Sequence, residues 1–405
     1  MNPRVAGRSP GFIEFVILIA LIISLVALSI DAMLPALPEI AADLGVHQIN
    51  DSQYVISIFF AGMAFGQIFF GPLSDSFGRR PSIISGFAVF ALGCVLSIVA
   101  VDFEQMLLGR FLQGLGASGP RIVSIALVRD QFKGREMARV MSFVMTVFIL
   151  VPVFAPAIGQ LILKLASWHW IFAMFLLLVL VVVSWFWLRQ PETLARKNRI
   201  RFSFAQLLLD IQAILRNRAA LGYTLTMGFI FGAFLGYLSS SQQIFQVQYE
   251  LFDLFPLYFG ILASAIGCAS LVNARLVMRF GMRRLSRIAL QVICLLSFPF
   301  FLGAAFLDGH PGLFMLMMYL LCVFFFFGIL FGNLIALAME PLGHIAGLGS
   351  AVVGSLSTLI SVVFGIIIAN AYNSTIMPLV AGFAILGLAS LLIIKWTEAG
   401  LESDS

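Results

Sequence analysis

Charge is what this 405-residue chain has least of: Asp, Glu, Lys and Arg together make up 11% of it, where a soluble domain carries about a quarter. Histidine and cysteine are almost as scarce, at four residues each. Cys94, Cys268, Cys294 and Cys322 lie inside apolar runs with no paired spacing, which argues against a disulfide framework or a thiolate metal centre. No His is followed by the Glu of a zinc-protease motif, and no Lys completes a Walker A loop. Neither a metal nor a cofactor is therefore expected, nor is ATP-driven work by this chain alone. What remains is 61% hydrophobic, with 41 Phe, against 24 bases and 19 acids. A water-soluble globule of this size has too little polar material here to cover it, and a disordered chain or coiled coil is equally excluded. The composition is that of an all-α polytopic membrane protein.

Apolar runs long enough to cross a bilayer fall near 12–38, 53–73, 81–101, 106–128, 138–163, 168–188, 219–241, 254–278, 285–306, 312–339, 345–369 and 376–396. Arg4 and Arg8 precede the first run, as in a signal peptide, but it is too long, carries Asp31 and ends in Pro35 and Pro38 without a small-residue cleavage site. It reads as a retained helix. An even number of spans puts both termini on one side. With that side cytoplasmic, all of the 24 bases except Lys164, Arg110 and Arg121 fall inside, Arg201 of the central loop among them. Glu39, Asp43, Asp51, Asp102, Glu104, Glu250, Asp253 and Asp308 fall outside. This is the positive-inside pattern, and it explains a net charge of +5 with anionic lipid, not nucleic acid, as the partner.

The long polar stretch at 189–218 divides the chain into residues 1–188 and 219–405, six spans each. Its segment FSFAQLLLDIQAIL (202–215) suits an amphipathic helix on the membrane surface. The loop GPLSDSFGRR (71–80) follows the second span, and ARLVMRFGMR (274–283) follows the eighth; Leu73, Phe77, Gly78 and Arg80 align with Leu276, Phe280, Gly281 and Arg283. The same pattern at equivalent loops indicates a duplicated six-helix unit, so two pseudo-symmetric six-helix bundles are expected. Gly62 with Gly66, and Gly228 with Gly232 and Gly236, have the spacing that lets helix backbones approach closely. GLGASG (114–119) fits a dinucleotide fingerprint, but no strand precedes it and it sits in mid-span.

Several of these segments resemble a known family. GPLSDSFGRRP (71–81) is similar to the signature loop of the major facilitator superfamily, with Ser76 in place of a basic residue. LLGRFLQGLGAS (107–118) resembles the helix 4 motif of its proton-coupled exporters. SIDAMLPALPEIA (29–41), VPVFAPAIGQ (151–160) with WHWIF (168–172), and NLIALAMEPLGHIAG (333–347) resemble the bicyclomycin/chloramphenicol-resistance (Bcr/CflA) branch. The resemblance implies the major facilitator fold, drug/proton antiport by alternating access in a bacterial inner membrane, and no enzymatic activity. It also implies an antiporter-like helix 5 motif at Pro152, Pro156 and Gly159, and protons as the coupling ion.

Among candidate residues, Asp31 is the one carboxylate well inside a span, a costly placement that points to a protein-lined or watered cavity. Arg110 lies at a similar depth, so the two are expected to pair or compete for each other as the proton-coupling site, or to form a fixed lock between helices. Arg121 follows Arg110 by a spacing that returns to nearly the same helix face, a stripe shared with Gly114, Ala117 and, at its edge, Gln113. Arg121 either holds an anionic or polar substrate group or bonds neighbouring carbonyls. Ser24 shares the Asp31 stripe, and Asn333 is a further polar cavity candidate. Gly71, Asp75, Gly78, Arg79 and Arg80 form a candidate conformational latch, asymmetric because Met278 takes the Asp75 position in the second half. The expected substrate is a small amphipathic, drug-like molecule carried by a monomer. A narrow transporter of an anionic metabolite or siderophore is the alternative, and a non-transporting receptor or scaffold stands behind it.

Overall fold

In the computed structural model, residues 10–48, 50–200 and 203–403 are described; the predicted cytoplasmic bases Arg4, Arg8 and Arg201 lie outside them. The described chain is helical, without a strand. In order come α1 (Phe12–Asp31), α2 (Leu37–Asp43), α3 (Tyr54–Phe77), α4 (Arg79–Ile98), α5 (Phe103–Gln131), α6 (Gly134–Leu165) and α7 (His169–Arg189). After these follow α8 (Phe204–Arg216), α9 (Arg218–Gln242), α10 (Phe255–Phe280), α11 (Met282–Ala305), α12 (Leu313–Met339), α13 (Ala346–Asn370) and α14 (Met377–Ser403). Twelve helices are long and apolar enough to cross a membrane. They occupy the predicted positions, and several overrun them: α6 begins at Gly134 rather than 138, and a π-helical turn carries the α9 span on to Gln248. Backbone hydrogen bonding continues past the last apolar side chain into charged ends, where hydropathy no longer reports it.

Two compact units result. One holds the chain up to Val46 and Ile58–Ala205, the other His47–Ser57 and the chain from Gln206 onward. In the first, α5 is gripped by α3 and α4 through small residues. A Cβ on Gly62 would lie 2.1 Å from the Phe111 carbonyl oxygen, and one on Gly116 2.3 Å from the Phe90 nitrogen. Lipid gives helices no hydrophobic reason to associate, so such backbone approach is the cohesive term. The glycines of GLGASG are used this way and leave no phosphate cradle. In the second unit, Gly228, Gly232 and Gly236 of α9 meet Ile360, Phe364 and Ile368 of α13, and Ser361 donates to the Gly228 carbonyl at 3.0 Å. An aromatic cluster of Phe234, Tyr237, Phe324, Phe327 and Phe383 fills the space between α9, α12 and α14. The segment 47–57 is held in this unit by side-chain amides: Asn50 donates to the carbonyls of Asn370 and Tyr372 at 3.1 and 2.9 Å, and Gln53 to Gln243.

Between α1 and α2 the chain breaks where the prolines require it. Pro35 has no N–H to offer the Asp31 carbonyl, so α1 stops at Asp31 and a short 3-10 turn, Leu34–Ala36, leads into α2. A helix is present over the described part of the predicted amphipathic segment, as α8, with Leu208, Leu209 and Leu215 exposed along it; Phe202 lies outside the described residues.

Candidate functional site

Asp31 is the last residue of α1, only 5% exposed, and its carboxylate has no hydrogen-bond or ion-pair partner among the described residues. The sequence around it explains the setting. The Ser29 hydroxyl bonds back to Val26 at 2.8 Å, and the turn after Asp31 is pinned by α6. That pin is Gly159: a Cβ there would sit 1.8 Å from the Ala32 carbonyl oxygen. The helix 5 motif thus touches the residue next to the acid. Pro156 is buried beside it and Pro152 half-buried. Ser24, on the predicted stripe, is buried with a hydroxyl that has no partner.

Arg110 is carried by α5, whose first turn is capped by Asp102 accepting from the Gln105 N–H at 2.8 Å. Its side chain is fully buried, but no ion pair joins it to Asp31. It donates instead to the Ser29 carbonyl at 3.1 Å and to Gln113 Oε1 at 2.6 Å, and it stacks 4.6 Å from the Phe59 ring centroid. Gln113 passes the interaction to Ser97 at 3.0 Å. The expected direct pair is therefore replaced by an anchor two residues away, because the carbonyl end of α1 offers a nearer acceptor than the acid. Gly114 and Ala117 do not line a cavity: a Gly114 Cβ would lie 1.9 Å from the Phe59 carbonyl oxygen, and Ala117 is 1% exposed. Both belong to the packed seam of α5.

Arg121 shares the stripe of Arg110 but not its burial. Its side chain is exposed, and the one bond shown for it runs from Nη1 to the Met63 sulfur of α3, at 3.3 Å. Asn333 is buried on α12 and exchanges two amide bonds of 3.0 Å with Asn273 of α10, which makes it an internal tie instead of a cavity group.

The latch residues come together at the end of α3. Gly78 turns the chain with φ +116, a conformation side chains resist. Arg79, 5% exposed, then reaches back to Asp75 at 2.5 Å, to Ser74 at 2.8 Å and across to Asp130 of α5 at 3.0 Å. Gly71 contributes its carbonyl, which accepts from Ser74. Glu192 caps α4, taking the backbone N–H groups of Arg79 and Arg80 at 3.0 and 3.1 Å. Arg80 donates to the Trp187 carbonyl and lies over that ring. Sequence reasoning did not find Asp130 or Glu192; the acid ending the α5 span and the Pro-Glu-Thr run after α7 were the available signals. It also missed the bidentate bond of Arg189 to Glu14, at 2.7 and 2.8 Å, which ties α7 to α1.

Comparison with known proteins agrees with this architecture. A protein of Bacillus subtilis described as an uncharacterized MFS-type transporter, YdgK, is 31% identical over 82% of this chain and 83% of its own. A bicyclomycin resistance protein homolog of Haemophilus influenzae is 30% identical over 90% and 91%. A solved D-xylose-proton symporter superposes with a TM-score of 0.72 over 95% of this chain and 97% of that one; at 17% identity the likeness is one of fold. The Major Facilitator Superfamily profile matches residues 19–365. With twelve helices able to cross a membrane, a family profile over most of its length and these relatives, the chain belongs to the Major Facilitator Superfamily and is a multi-pass membrane transporter.

Proposed function

We propose that this chain is a proton-coupled exporter of small amphipathic compounds, working by alternating access in a bacterial inner membrane with both termini cytoplasmic. The relative named for bicyclomycin resistance supports the drug-like substrate class. The observation that carries the mechanism is Asp31, a buried acid at a helix break whose carboxylate has no partner among the described residues. A charged carboxylate in a span is costly unless water or a cation reaches it, so access and partner distance decide whether the group keeps its proton. Arg110 holds the carbonyl two residues before it. A shift of the end of α1 exchanges that carbonyl for the carboxylate, releasing a proton as substrate binds. One charge moved across ~100 mV supplies ~2.3 kcal/mol, roughly fifty-fold accumulation.

The test is proton release on adding an amphipathic ligand to detergent-solubilised protein. Wild type releases protons; Asp31→Asn binds the ligand without release and loses gradient-driven export from vesicles. Unchanged release and coupling in that variant would remove Asp31 from the mechanism.

A further inference from the structure

The Arg121 guanidinium belongs neither to the packed seams nor to the proton site described above. It stands four residues past the middle of the 29-residue α5, about 6 Å from its midpoint, at a depth where an unsatisfied guanidinium is expensive. Arg110, on the same stripe, meets that cost with a carbonyl, an amide and an aromatic face. Arg121 is exposed and has one thioether sulfur, a weak acceptor. Among the described residues no carboxylate lies within ion-pair distance of it. A guanidinium has five N–H donors in a planar fork, and the Met63 contact occupies one end of it. The remaining edge presents the geometry that a carboxylate fills with two parallel bonds. Met63 is fully buried and the adjoining glycine seam of α3 and α5 is closed, so the exposed part of the guanidinium lies away from that seam.

We propose that Arg121 is an anion-binding residue of the transport site, and that the compounds carried include organic acids or zwitterions whose carboxylate docks on it. This rests on the transport reading above and specifies its substrate class.

The experiment uses proteoliposomes with an imposed proton gradient and a matched pair of probes: a fluorescent aromatic carboxylic acid and its methyl ester. Wild type moves the acid at least as well as the ester. In Arg121→Gln the acid-to-ester ratio of kcat/KM falls about ten- to hundred-fold, the range expected for losing charge-assisted bonds. Arg121→Lys, which keeps charge without the fork, falls between them. An unchanged ratio in Arg121→Gln, including equal losses of both probes through misfolding or a purely structural role, with Arg121→Lys also at the wild-type ratio, overturns the assignment. Wild type that moves the ester but not the acid overturns it too, leaving the transport reading intact. Wild type that moves neither probe, nor any of a panel of neutral and cationic amphiphiles, overturns both.

Discussion

The signature loop occurs twice in this sequence, but the two copies are built differently. In the first unit the base Arg79 is buried and shared between Asp75 and Asp130, while Glu192 caps the helix that begins with it. In the second unit Met278 and Met282 occupy the positions of Asp75 and Arg79, and Met278 is 86% exposed. Charge pairing survives there in looser form: Arg283 bonds Glu340 at 3.2 Å with both side chains about half exposed, and Arg287 bonds Glu398. Each copy sends a base to an acid at the far end of a later helix of its own unit. Only in the first is the base itself desolvated; in the second the burial falls on the acid Glu398, and its arginine is half exposed. The repeat therefore conserves a plan of helix-end tethering, and the strength of the tether resides in the first copy.

The sharpest break of this contrast is Arg79→Gln. It leaves Asp75 and Asp130, 32% and 21% exposed, facing each other without the buried base between them; removing one partner of a buried ionic group costs about 3–5 kcal/mol, and the partial solvation of the acids puts this one toward the lower end. The detergent-purified protein should show its largest fall in Tm with this variant. Gly78→Ala comes next, at about 2–4 kcal/mol: the positive φ strains any side chain, and the new Cβ would lie 2.4 Å from Glu192 Oε2, displacing the cap. Its counterpart Gly281→Ala has φ +76 and nothing within 4 Å, so only the backbone strain of about 1–2 kcal/mol remains. Arg287→Gln should cost about 1 kcal/mol, because Glu398 is largely buried even though the arginine is not. Arg283→Gln should fall within ~0.5 kcal/mol of wild type, as exposed pairs do. A second-unit variant as damaging as Arg79→Gln would erase the distinction between the copies. Restoring the missing pair with Met278→Asp and Met282→Arg together should stabilise by no more than ~0.5 kcal/mol, the value of an exposed i,i+4 pair.

The spans were legible because the bilayer demands apolar length, and the α1 break because Pro35 has no donor for the Asp31 carbonyl. Asp31 itself stood out as a lone acid in a span. Its relation to Arg110 did not: depth and helical angle place two side chains at one level, yet they do not say whether a carbonyl such as that of Ser29 is nearer. The same limit turned Gly114 and Ala117 from cavity lining into packing, since a helix face does not name the helix opposite it. Asn333 read as a polar cavity candidate because its partner Asn273 lies on a different helix. Asp130 and Glu192 were hidden by sequence distance, as their partner Arg79 is local to neither.

The contact of Gly159 with the Ala32 carbonyl also determines how motion near the acid can be watched. Position 159 admits no label, but Ala157 and Ile158 just before it are exposed. A spin probe on Ile158 sits one residue from the pivot and reports separation of α6 from α1 while leaving the proton carrier chemically untouched. Paired with a second probe on the exposed Glu39 of α2, it gives a ruler across the break in the first span.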